Sequence, residues 1–127
     1  MSRRILAIIM LLALPLQLLA IDNERFRQLR NQSIKNIGWV AGNTAGHPIW
    51  PQVEPYVGKG GNYYNTLIRL KTPGANDEVE AYSNVALYRE WVEIGEKASF
   101  NEKECMTRIQ RTLQIVDELT KMMKASH

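Results

Sequence analysis

The apolar positions of this 127-residue chain fall into helical stripes on either side of one stretch that follows no period. From Cys105, the residues Ile109, Thr112, Val116, Leu119 and Met123 recur at alternating spacings of four and three, with Lys103, Arg108, Arg111 and Lys121 off the seam. That pattern predicts a terminal helix of roughly six turns, at about 3.6 residues per turn. Ser99 and Glu102, in "SFNE", have the S-x-x-E spacing of a capping box at its start. Before it, Ala81, Val85, Tyr88 and Val92 make one stripe, and Leu87, Trp91 and Ile94 make a second. Two stripes imply burial from two sides, so this segment is expected to be the central helix. "GAND" at 74–77 supplies its turn and cap, Asp77, Glu78 and Glu80 load its positive end, and Gly95 loosens its other end.

Near the N-terminus, Asp22 is placed to cap a helix carrying Phe26, Leu29, Ile37 and Val40 on one side. Arg25, Arg27, Arg30 and Lys35 are expected to face water. Gly38 weakens the end of this helix, and "GN" at 42–43 is expected to stop it.

"GHPIWPQVEPYVGKGGNYYN", residues 46–65, breaks the pattern with Pro48, Pro51 and Pro55, four glycines and four large aromatics. Its prolines exclude a long regular element, although Pro51 suits the first turn of a short helix through Val53. "GKGG" at 58–61 is a flexible turn. Residues 62–72 fit either a strand, through Tyr64, Thr66, Ile68 and Leu70, or a two-turn helix capped by Asn62. No partner strand is evident, and a lone strand leaves its backbone unpaired, so a helix is expected. The fold class is therefore mainly α: a small single-domain bundle of three long helices, plus a short helix and a long Pro/Gly/aromatic loop.

The first twenty residues change the count of what folds. Arg3 and Arg4 precede an unbroken apolar run, Ile5–Leu14, which Pro15 is expected to break before "LLA" at 18–20. This is the layout of a secretory signal peptide cut after Ala20. The competing reading is a retained anchor, but Ile5–Ile21 is only 17 residues and contains Pro15 and Gln17, against the roughly 20 apolar residues of a comfortable span. The division is 1–20 signal peptide and 21–127 one helical domain, periplasmic or secreted, with no stable membrane insertion after cleavage. "SRRILA" also resembles the start of a twin-arginine export signal, but no cofactor motif follows it, and the general secretory route is expected.

Charge and cysteine usage then narrow the function classes. The whole chain has 16 Lys+Arg against 13 Asp+Glu, but without Arg3 and Arg4 the balance is 14 to 13. A nucleic-acid binder needs a basic face, and none is evident. Cys105 is the single cysteine, so no internal disulfide staples the domain, which favours a bacterial periplasm over a disulfide-rich secreted scaffold.

Candidate chemistry is sparse. "GKGG" is not a phosphate loop: Lys59 is followed by Gly60, and the leading glycine is replaced by Val53. His47 and His127 are the only histidines, too few for a clustered metal site with Cys105, and no metal or other cofactor is expected. Cys105, on an apolar stripe, reads as a core residue and not as a nucleophile based by His47. Glu54 is the one carboxylate in the aromatic stretch, between Trp50 and Tyr56. Rings around a carboxyl group raise its pKa and make a general acid for sugar cleavage, which calls for a second carboxylate that this stretch lacks. The aromatics either pack the stretch onto the helices or present a contact surface, as Trp and Tyr dominate interface hot spots. The surface reading comprises Trp50, Glu54, Tyr56, Lys59, Tyr63 and Tyr64. The expectation is a non-catalytic protein-binding module with a protein partner in the cell envelope, an inhibitor or immunity protein that masks an enzyme. An accessory part of an envelope or secretion machine is the alternative, and a cell-wall glycan enzyme using Glu54 stands third.

Overall fold

The computed structural model describes residues 2–72 and 77–125, with side chains over 23–72 and 78–124. The chain is mainly helical, with no strand among the described residues. In order the helices are α1 (Ser2–Thr44), α2 (Trp50–Val57), α3 (Asn62–Ile68), α4 (Asp77–Lys97) and α5 (Glu102–Ala125). Most of the turn expected at 74–77 lies outside the described residues. The break expected at Pro15 does not occur. A proline removes one backbone hydrogen bond, and here the helix continues on both sides of it.

The central helix is α1, not α4. From Ser33 to Thr44 every side of α1 is covered except at Lys35, and α4 and α5 both lie on it with their backbones apart, Arg108 of α5 reaching the Trp91 ring of α4. Residues 27 and 30 of α1 meet Glu80, Gly38 meets Tyr88 and Trp91, and Asn43 meets Gly95, so α4 runs parallel to α1. Arg25 pairs with Glu118, and Asn36 accepts from Arg108, so α5 runs antiparallel.

The glycines that read as helix weakeners set this geometry. A Cβ at Gly42 would stand 2.0 Å from the Val92 carbonyl oxygen, and one at Gly95 would stand 2.1 Å from the Trp39 carbonyl oxygen. The α1 and α4 backbones therefore touch, with Gly38 and Gly42 spaced one turn apart on the contact face. α1 does end beside "GN", at Thr44, but Asn43 does more than stop it. Asn43 is buried and joins three elements: its amide donates to the carbonyls of Gly95, Ala98 and Ser99, and its Oδ1 accepts from the Asn101 amide and the Cys105 thiol. One side chain thereby closes the end of α4 and fixes the start of α5. The cap of α5 is Asn101, whose Oδ1 accepts from the Glu104 amide at 3.0 Å. The capping box expected at Ser99 does not form, because the helix begins only at Glu102.

The inner seam of α5 is rotated from the expected one. Cys105, Thr112, Ile115 and Leu119 are buried, Ile109 and Val116 are half-buried, and Met123 is exposed. Arg108, off the expected seam, lies with its guanidinium carbon 4.6 Å from the Trp39 ring centre and 5.8 Å from that of Trp91. Lys35 is half-buried, its ammonium 5.6 Å from the Trp91 ring centre. Burial, opposed by the Arg108 charge and supported by Glu104 and Glu102, pushes the Cys105 thiol up to about 11. A thiol reagent should therefore label the native protein slowly and the unfolded protein fast. Rapid native labelling would mean that the α1–α5 seam opens.

Arg30 also departs from expectation: only 4% exposed, it pairs with Glu80 at 3.2 Å and donates to the Leu70 carbonyl and the Thr72 hydroxyl. The Thr72 amide donates to Glu80 at 2.8 Å. A buried arginine is tolerable only with such partners, and they pin residues 70–72 between α1 and α4. Burial by itself would raise the Glu80 carboxyl, but the Thr72 amide and hydroxyl and the Arg30 guanidinium together hold it below its ordinary 4.5. The folded state thus binds this proton more weakly than the unfolded state. Its stabilisation is complete above the unfolded pKa and is lost as pH falls through the folded one. The urea midpoint should fall as pH drops below the ordinary carboxyl value of 4.5, and Glu80→Gln should flatten that limb while lowering the neutral plateau. Equal acid limbs in the two proteins would remove Glu80 from the account.

Candidate functional site

The stretch 46–65 is not a long loop. It folds into α2 and α3, joined by a turn at 58–61 in which Gly60 takes φ +82. Pro51 sits in the first turn of α2, where a missing amide costs nothing. The helix runs past Val53 to Val57, even with Pro55 inside it. α3 confirms helix over strand, but Gly61, not Asn62, occupies its cap position. Gly58 donates to the Glu54 carbonyl at 3.0 Å, and Gly61 donates to the Gly58 carbonyl at 2.7 Å. These bonds fold α3 back beside α2.

Two clamps from α4 hold the pair down. The Tyr88 hydroxyl donates to the Val57 carbonyl at 2.7 Å, and the Asn84 amide donates to the Ile68 carbonyl at 3.2 Å. Burial, with a smaller contribution from Tyr64, pushes the Tyr88 phenol up to about 12.

This platform separates the six residues of the surface reading. Tyr64 is buried, with its ring edge-on to Tyr88 at 4.8 Å, and belongs to the core. Trp50 and Tyr63 are half-buried and pack against that core. Tyr56 is 45% exposed and leans on Tyr63 at a ring separation of 5.5 Å. Burial and the neighbouring Tyr56 raise the Tyr63 phenol. Glu54 and Lys59 are exposed, Lys59 in the turn itself. Tyr56, Tyr63, Glu54 and Lys59 therefore present groups to solvent from one rigid hairpin.

Two features of this region were not read from the sequence. Ile49, Gln52, Val53 and Tyr56 of the α2 side face Glu102, Met106 and Ile109 of α5 across an open groove of about 210 Å³. His47 stacks on Phe100 at 3.8 Å beside its end, two residues before Ile49 and two before Glu102. The signal for the groove was present in the spacing of Met106 and Ile109, which the chosen seam divided. Among the described residues no three His, Cys, Asp or Glu side chains come together to hold a metal ion, and no helix is long and apolar enough to cross a membrane. Compared with models of protein families, with curated proteins and with solved structures, the chain matches none.

Proposed function

We propose that this chain is an exported, single-domain helical module that binds a protein of the cell envelope, in the manner of an inhibitor or immunity protein that masks an enzyme. Residues 1–20 act as the signal peptide, and the module works in the periplasm. The observation that carries the reading is Tyr56: a large exposed aromatic held against Tyr63 on a hairpin clamped by Tyr88 and Asn84. An aromatic presented from a rigid platform loses little freedom on binding, which is how interface anchors gain their energy. Among the described side chains the core runs from Phe26 to Leu119, all beyond a cut at Ala20.

The test begins with the tagged chain recovered from exporting cells. Mass spectrometry should find Ile21 at its N-terminus, and a soluble envelope enzyme should accompany it in equal amount with its activity suppressed. Co-purification with a membrane assembly would favour the accessory role instead. Turnover of cell-wall fragments by the purified chain, lost in Glu54→Gln, would overturn the binding reading.

A further inference from the structure

α5 carries a second apolar stripe that the bundle covers only in part, with Met106 and Ile109 at one end facing Tyr56 across the groove. Met106 and Leu113 are each 48% exposed, and Ile109 and Val116 between and beyond them are half-buried. Their spacing of three, four and three is that of the a and d positions in a coiled coil. The stripe lies on the shoulder of α5, one residue round from buried Cys105 and Thr112; among the described residues the α5 backbone packs on α1, Arg108 reaches Trp91 of α4, and the α2 side faces α5 across the groove.

We propose that this stripe pairs with its own counterpart in a second copy of the chain, with the two α5 helices antiparallel. An antiparallel seam sets a against d, so Ile109 packs on Leu113 of the second copy and Met106 packs on Val116 of the second copy. The two-fold axis repeats both layers. The flanking charges select this occupant and this direction. Lys103, Gln110 and Asp117 stand seven residues apart along the solvent-side edge of the stripe. Like edges meet in an antiparallel pair, so Lys103 faces Asp117 of the second copy, and Gln110 faces Gln110 of the second copy across the axis. A parallel pair would instead turn this edge toward the side of α5 that is buried on α1. Lys103 has no ion pair among the described residues, and Asp117 holds only Lys121, one turn away at 3.0 Å with both groups exposed. An exposed pair of that kind contributes little and exchanges readily. Met106 and Ile109 also line the groove that Tyr56 faces, so a second copy and an envelope partner would compete there, whereas Leu113 and Val116 lie outside it.

Sedimentation of the full chain as recovered from cells should show a reversible monomer–dimer equilibrium. Leu113→Glu should abolish the dimer and leave melting unchanged at concentrations where the unaltered chain is monomeric. Lys103→Asp, which sets two carboxylates together at each end, should weaken it about tenfold, and adding Asp117→Lys should restore it. Under mild oxidation Gln110→Cys should cross-link to itself, with buried Cys105 unreactive, whereas Arg111→Cys on the opposite face should not. A chain that stays monomeric at all concentrations would overturn the proposal. So would a dimer that survives Leu113→Glu or cross-links through Arg111→Cys. A monomer whose Leu113→Glu variant loses a foreign helical partner would assign the stripe to that partner, and the second copy would be wrong.

Discussion

Alanine at Gly42 is expected to cost at least about 3 kcal/mol of folding stability, a large share of the roughly 5–15 available to a small domain. Helix propensity predicts the opposite sign, since alanine gains about 1 kcal/mol over glycine in a helix interior. The new Cβ, however, would stand 2.0 Å from the Val92 carbonyl oxygen and 2.8 Å from the Glu96 nitrogen. Backbone cannot rotate away as a side chain can, so α1 and α4 must part and loosen the contacts around them. Gly95→Ala meets the Trp39 carbonyl from the other side at 2.1 Å, so the double variant should cost less than the sum of the two. Urea unfolding of the three variants checks this. A gain in stability for Gly42→Ala would mean that the helices do not touch there.

Asn43→Leu should cost about 3–5 kcal/mol, although leucine has the same branched shape and favours helix. Its amide supplies the carbonyls of Gly95, Ala98 and Ser99, and its Oδ1 receives the Asn101 amide and the Cys105 thiol. Leaving buried polar groups unpaired costs about 1–3 kcal/mol each, reduced here because several are only partly buried. The loss should come with a specific symptom: with the α4–α5 turn unpinned, Cys105 should become accessible to thiol reagents before global unfolding. Asn65→Ala, on an exposed bond to the Gly60 carbonyl, should change stability by less than about 1 kcal/mol. Equal effects of the two substitutions would deny Asn43 its role as the junction.

These two positions mark what sequence could and could not convey. Phe26, Leu29, Ile37 and Val40 were read as one face of the first helix, and all four are buried. Apolar periodicity reports burial wherever a side chain does the packing. Gly38, Gly42 and Gly95 pack by having no side chain, and a glycine that admits a neighbour looks the same in sequence as one that weakens a helix. Arg30 carried the signature of a solvated face because its partners, Glu80 and Thr72, arrive from distant segments. On α5 the expected seam mixed two stripes about one residue apart, and only docking on α1 decided that Ile115 turns in while Leu113 stays out. In the candidate site the aromatic content was legible, but the fates of Tyr63 and Tyr64 were not. Adjacent residues on a short helix point different ways, and contact with Tyr88 chose between them.

The central claim is that the α2–α3 platform displays Tyr56 for recognition and does not merely pack it. The measurement that tests this sets the melting curve of Tyr56→Ala beside its affinity for the envelope partner. With 45% of the residue exposed, the substitution should leave stability within about 0.5 kcal/mol. It should weaken binding by about thirtyfold, the effect of truncating a hot spot worth about 2 kcal/mol. Trp50→Ala, packed on the core, should instead lower the melting temperature. A collapsed melting curve for Tyr56→Ala, or undiminished binding with normal melting, would contradict the account.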